Sequence, residues 1–333
     1  LEPSTPGCRN GQRGLLVRGN VNMNDVLSVR GLTRTYGDTV ALSDASFAVG
    51  QGEILGVLGP NGAGKTTSIR IIMGIISADS GEVIFNFEGP VTSSKERIGY
   101  LPEERGLYED AGVLQNLVYF ARLKGMETGR ARQSALEWLE KLDLAGWAQR
   151  KLEQLSKGMQ QKVQFIASVL HEPDLLVLDE PFSGLDPINQ DLFKEIIRDL
   201  QGQGMAILLS AHQMGMVEEL CDRIFMVNGG RRVLYGDLQQ IKQEHPENII
   251  ELRFRREDDA TSLGSLAGST VIRSEPGHLV LRHRGASSIN DLMEFISSRV
   301  SVEEISIRKP PLHDIFVETV RRRGDTIEDP AFI

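Results

Sequence analysis

The chain has 333 residues, is 40% hydrophobic and 25% charged, and carries 37 basic against 46 acidic side chains for a formal charge of −9. It is too long for one small domain and too hydrophobic for a disordered tail, and neither a collagen-like repeat nor a coiled-coil rod has this composition. An acidic chain is a poor general nucleic-acid binder, two cysteines cannot frame a disulfide scaffold, and no apolar run approaches the ~18 residues a membrane span needs.

Residues 1–24 hold Pro3, Pro6, Gly7, Gly11, Gly14 and Gly19 without sustained periodicity. They read as a disordered leader or tag, with Met23 as the expected natural beginning. Residues 26–29 and 45–49 alternate with period two and predict strands. Residues 53–58, 175–178 and 206–209 are short continuous apolar runs, which suit parallel strands buried on both faces. Helices are predicted over 67–73, 132–144 and 190–200. This alternation predicts an α/β domain with a largely parallel core sheet, assigned to residues 25–245. After His245-Pro246 the composition changes. Strands at 249–254, 279–281 and 305–307, with a helix over 289–298, predict a small C-terminal α+β accessory domain over 246–323, followed by a tail at 324–333. There is no internal repeat.

Two stretches carry chemistry. Gly59-Pro60-Asn61-Gly62-Ala63-Gly64-Lys65-Thr66 matches the phosphate-binding loop G-x-x-x-x-G-K-[ST], between a predicted strand and a predicted helix, which is the context the pattern demands. Glycines admit the phosphates to the backbone, successive N–H groups point at the anion, and the helix N-terminus adds positive potential. Lys65 is expected at the β- and γ-phosphates and the Thr66 hydroxyl on Mg²⁺; Gly59, Asn61, Gly62, Gly64 and Thr67 complete the expected nucleotide contacts. Downstream, the apolar run 175–178 ends in Asp179-Glu180, and strand ends in such sheets face the ligand crevice. Asp179 is the candidate Mg²⁺ partner, through a water, and Glu180 the candidate general base.

With these motifs in order, the chain resembles the ATP-binding subunit of an ABC transporter. Leu155-Ser156-Lys157-Gly158-Met159-Gln160-Gln161 resembles the family's signature segment, usually L-S-G-G-Q. Ser183-Gly184-Leu185-Asp186 resembles its dimer-contact loop. His212 matches the switch histidine and Tyr36 the aromatic that stacks on adenine. Taken singly, Tyr36 reads as a strand aromatic, His212 as a helix cap and Ser156 as a plain N-cap. Two departures stand out: Lys157 and Met159 inside the signature, and Glu103 where the family has a glutamine that contacts Mg²⁺. The segment around Glu103 resembles a subgroup that includes bacterial sodium-extrusion and ABC-2-type exporter subunits, as does the ending Pro310-Pro311-Leu312-His313-Asp314-Ile315-Phe316.

The resemblance implies a P-loop NTPase cassette: a mixed, largely parallel core sheet with an antiparallel β part and a helical subdomain at about 103–170. It implies ATP and Mg²⁺ as cofactors, Lys65, Glu180 and His212 in catalysis, and Ser156 and Gly158 reaching the γ-phosphate. Thr66, Glu103 and Asp179 would be on the metal. It further implies a homodimer closed by ATP, integral membrane permease partners, no nucleic acid, and a cytoplasmic place on the inner face of the plasma membrane. Residues 103–110, with Arg105, Leu107 and Tyr108, would dock on the permease. An alternative is a soluble ABC-type ATPase acting on ribosomes or DNA. The cargo is not written in the chain.

Overall fold

The computed structural model describes residues 24–87, 94–104, 106–255, 263, 268–284 and 289–324. The expected leader up to residue 23, Arg105, and residues 325–333 of the expected tail lie outside the described residues.

Three strands carry the centre of the larger sheet: β3 (Ile54–Leu58), β6 (Leu175–Asp179) and β7 (Ala206–Ala211), every residue of which is buried. They are the continuous apolar runs of the sequence, and burial on both faces is why the runs do not alternate. Around them come β1 (Asp25–Tyr36), β2 (Thr39–Gly50), β4 (Ser80–Phe85), β5 (Ile98–Leu101), β8 (Arg223–Asn228) and β9 (Arg231–Asp237). The order is β4-β1-β2-β9-β8-β3-β7-β6-β5. β8, β3, β7, β6 and β5 run parallel, whereas β4, β1 and β2 form an antiparallel part that joins through β9.

Alternation decides which face each side chain enters. Ile54, Leu58, Leu176, Leu178, Ile207 and Leu209 face one core cluster, and Leu55, Val57, Leu175, Val177, Ala206 and Leu208 face the other. Helix α1 (Lys65–Ile72) covers the second face with Ile69, Ile71 and Ile72. The first face meets α2 (Val113–Leu123), α3 (Thr128–Lys141), α4 (Lys157–Val169), α5 (Pro187–Gly202) and α6 (Met214–Leu220). Each fully buried Leu or Ile contributes about 1.5–3 kcal/mol. Caps fix the entries: Glu127 accepts from Gly129 and Arg130 for α3, and Asp186 accepts from Asn189 for α5.

After α7 (Leu238–Glu244) a second, antiparallel sheet is built from β10 (Asn248–Phe254), β11 (Ser269–Glu275), β12 (His278–His283) and β13 (Val302–Arg308), in the order β11-β12-β10-β13. Ile250, Leu252, Leu279 and Leu281 share a separate cluster with Leu292 and Ile296 of α8 (Ile289–Ser297). The last helix, α9 (Leu312–Arg322), returns to the larger sheet. Leu312, Phe316 and Val320 are buried in its first-face cluster.

Candidate nucleotide site

The loop between β3 and α1 is shaped by glycines that no other residue replaces. Gly59, Gly62 and Gly64 have φ of 152°, 77° and 109°, backbone that side chains disfavour. A Cβ on Gly59 would lie 2.2 Å from the Val227 carbonyl, and one on Gly64 2.3 Å from that of Ala41. Lys65 begins α1 and is buried; its Nζ donates to the carbonyls of Gly59 at 2.8 Å and Pro60 at 3.1 Å, which holds the ammonium over the loop.

A cavity of about 200 Å³ opens there, lined by Asn61, Gly62, Gly64, Lys65, Thr66, Thr67, Glu103 and Glu180. Eight of the residues singled out in the sequence are therefore together. Glu103 is exposed on the loop after β5, and Gln164 of α4 pins that loop by donating to the carbonyls of Pro102 and Glu104, both at 3.1 Å.

Asp179 ends β6 and is 1% exposed. Its Oδ1 accepts from the Ser210 hydroxyl at 2.5 Å, while its Oδ2 is buried without a hydrogen-bond partner among the described residues. Burial raises the Asp179 carboxyl above its ordinary range; the Ser210 hydrogen bond opposes this. A buried, unpaired carboxylate oxygen is a group that a cation or its hydration water satisfies, so the donor set fits a hard divalent ion.

Glu180 follows with a φ of 52°, a left-handed conformation that costs a non-glycine residue about 1–3 kcal/mol. Its N–H donates to the Ser210 hydroxyl at 3.1 Å and its Oε2 meets His212 Nδ1 at 2.8 Å. Burial raises the Glu180 carboxyl too, opposed by nearby His212 and Lys65. His212 does not cap α6; Gln213 holds that position.

Ser210 and Gln164 were not singled out in the sequence. Ser210 stands beside His212 but earns its role through register: it pairs with Asp179 across β6 and β7. Gln164 has no local signal, because its targets lie some sixty positions away.

Tyr36, Ser156 and Gly158 are not among the residues lining the cavity. Tyr36 is 47% exposed at the end of β1, with the Arg34 guanidinium 4.8 Å from its ring centroid. Ser156 is exposed and caps α4, accepting from Met159 N at 3.3 Å, so its plain N-cap reading holds as local structure. Gly158 sits near Leu185 and the Gly184 carbonyl, beside the predicted dimer-contact loop.

Residues 42–183 match the family described as ABC transporter, and residues 236–320 match the ATP-binding protein DrrA1-3-like C-terminal domain. The chain is 38% identical over 295 residues to the uncharacterized ABC transporter ATP-binding protein YhaQ of Bacillus subtilis, covering 89% of this chain and 98% of that protein. It is 32% identical over 302 residues to the daunorubicin resistance ATP-binding protein DrrA3 of Streptomyces coeruleorubidus, covering 87% of this chain and 94% of that protein. A solved structure of an ATP binding subunit of an ABC transporter superposes with a TM-score of 0.61 at 31% identity, over 66% of this chain and 92% of its own.

Proposed function

This chain belongs to the ABC transporter family as an ATP-binding subunit, and on that footing we propose that it hydrolyses Mg–ATP at the Lys65 cavity, between two copies of itself docked on membrane permease chains. It is an ATP hydrolase that powers a transporter; the soluble alternative acting on ribosomes or DNA is not supported by relatives that match along nearly the whole chain.

The reading of the site rests on one observation: the Glu180–His212 pair and the unpaired Asp179 oxygen stand at the strand ends beside the phosphate loop. The loop N–H groups and Lys65 would hold the phosphates. Thr66, Asp179 through a water, and Glu103 would hold Mg²⁺, which when bound offsets phosphate charge. Glu180 takes the proton of the attacking water as its oxygen bonds the γ-phosphorus. The bond to the β,γ-bridging oxygen breaks, leaving ADP and phosphate. His212 holds Glu180 in place and donates toward the γ-phosphate. The strained backbone at Glu180 supports a functional role for this residue.

Tyr36 offers an exposed face for adenine. Exposed Ser156 and half-buried Gly158 would contact the γ-phosphate of the ATP held by the partner copy. A groove of about 350 Å³ lined by Tyr100, Pro102, Leu107, Phe120 and Leu123, among others, takes an apolar segment of the permease. Tyr108, 53% exposed, stacks on Phe120 at its edge, 6.1 Å between centroids. No helix among the described residues is long and apolar enough to cross a membrane. The permease would therefore hold the subunit on the cytoplasmic face of the plasma membrane. We favour export of a drug-like cargo, as the daunorubicin-resistance relative suggests, and drug-stimulated ATPase activity of the assembled complex checks it.

Glu180→Gln tests the core of this reading. It keeps the side chain's size and removes the base, so Mg–ATP should bind while steady-state hydrolysis falls by at least about 100-fold, within the range of general-base contributions. Normal turnover in this variant would remove Glu180 from its assigned role.

A further inference from the structure

The molecule clamps α9 onto the helix that follows His212. His212 and α6 are separated by Gln213 alone. A helix of seven residues does not hold itself in water, so its position depends on what packs against it. That packing is supplied partly by α9: Leu312, Phe316 and Val320 lie in the same cluster as Met214, Val217 and Leu220 of α6.

A polar clamp reinforces the contact. The first N–H groups of a helix lack an intrahelical acceptor, and the Pro311 cap offers no side-chain oxygen. Glu218 of α6 supplies one from outside: its Oε1 accepts the Leu312 N–H, at the positive end of α9. Its Oε2 pairs with Lys242 of α7 at 2.5 Å. At the far end of α9, Arg323 donates to the carbonyls of Arg232 at 2.8 Å and Val233 at 2.9 Å on β9. The second sheet grips the same helix, through Arg282 of β12 on Asp314 at 2.9 Å. Glu218 is thus the point where the C-terminal region meets the element next to the site.

We propose that Glu218 is a positioning residue for hydrolysis: it fixes α6, and so holds His212 against Glu180, and it lets the C-terminal sheet set the rate through α9. This rests on the roles of Glu180 and His212 proposed above. It does not involve the phosphate loop, which hangs from β3 and α1.

The test is a kinetic cycle on the full chain with single-turnover ATP hydrolysis. Glu218→Gln should lower the rate by about 3- to 30-fold, the scale of mutational effects on coupling between sites, with the KM for ATP within about twofold. In a His212→Ala background the same substitution should have no further effect, because the group it positions is gone. Asp314→Asn leaves Glu218 in place, weakens the sheet's grip through Arg282, and should show the same pattern with a smaller loss; it also serves if Glu218→Gln fails to fold. Equal losses in both backgrounds mean a general structural role and overturn the proposal, as does an unchanged rate in the His212 background of the native chain. If His212→Ala itself hydrolyses ATP at the native rate, the fault lies with the assignment of His212.

Discussion

At the scale of single residues, the site turns on two carboxyl groups that burial pushes in the same direction. As the proposed base, Glu180 would act only when unprotonated. Its raised pKa means that hydrolysis is full above that pKa and is lost as the pH falls through it. The acid limb of the pH–rate profile should therefore lie above the ordinary glutamate value of about 4.3, measured at saturating ATP. A limb at or below that value would contradict the role. Ser210 holds both groups, donating to Asp179 and accepting from the Glu180 N–H. Ser210→Ala leaves Asp179 Oδ1 buried without its donor, while the Glu180 N–H keeps the backbone carbonyl of residue 210 at 3.3 Å, so the fold should lose about 1–3 kcal/mol in a denaturant titration. Tyr36 gives a separate check. Tyr36→Ala should weaken ATP binding by about 5- to 150-fold if stacking has its usual worth, while Tyr36→Trp should not. Equal affinity for the alanine variant would place adenine elsewhere.

At the scale of elements, Pro102, Glu104 and Tyr108 after β5 are tied down by side chains of α2 and α4. Asn116 of α2 accepts from the Tyr108 N–H and donates to its carbonyl, both at 2.9 Å, and Gln164 pins the stretch before it. A fixed loop bordering an apolar groove is pre-organised for a partner, because little ordering entropy remains to be lost on docking. Leu107→Asp and Tyr108→Ala should leave ATP binding by the isolated subunit unchanged and abolish co-purification with the permease chain. Normal assembly by both variants would move the docking surface elsewhere. Nearby, α3 shows where element boundaries come from. Apolar spacing predicts a helix over 132–144, whereas the helix runs over Thr128–Lys141. Its start is fixed by the Glu127 cap, ahead of the first apolar repeat, and it stops before Asp143, which is left-handed at φ 58°.

At the scale of the whole molecule, the proposed dimer would make one chain half of a working site. A mixed dimer states the consequence. With Lys65→Ala in one chain and Ser156→Ala in the other, one composite site carries both lesions and the other carries neither. Mixing the two inactive variants should restore ATP hydrolysis above either alone. No gain on mixing, at concentrations where the native chain dimerises, would mean that Lys65 and Ser156 do not meet across two copies.

The sequence by itself determined whatever is local. The phosphate loop was legible because its glycines and Lys65 must be contiguous. The central strands were legible because burial on both faces writes an unbroken apolar run, and Asp179-Glu180 was legible because acids at such a strand end stand out against it. Edge and antiparallel strands such as β4, β9 and β11 were not, since half-exposed positions there follow no clean period. Only the tertiary structure set the register that brings Ser210 onto Asp179, the reach of Gln164 to the Glu103 loop, and the return of α9 to α6. An amphipathic stripe such as Leu312, Phe316 and Val320 states that a face is buried. What it is buried against depends on contacts between residues far apart in the chain, and no local pattern encodes that choice.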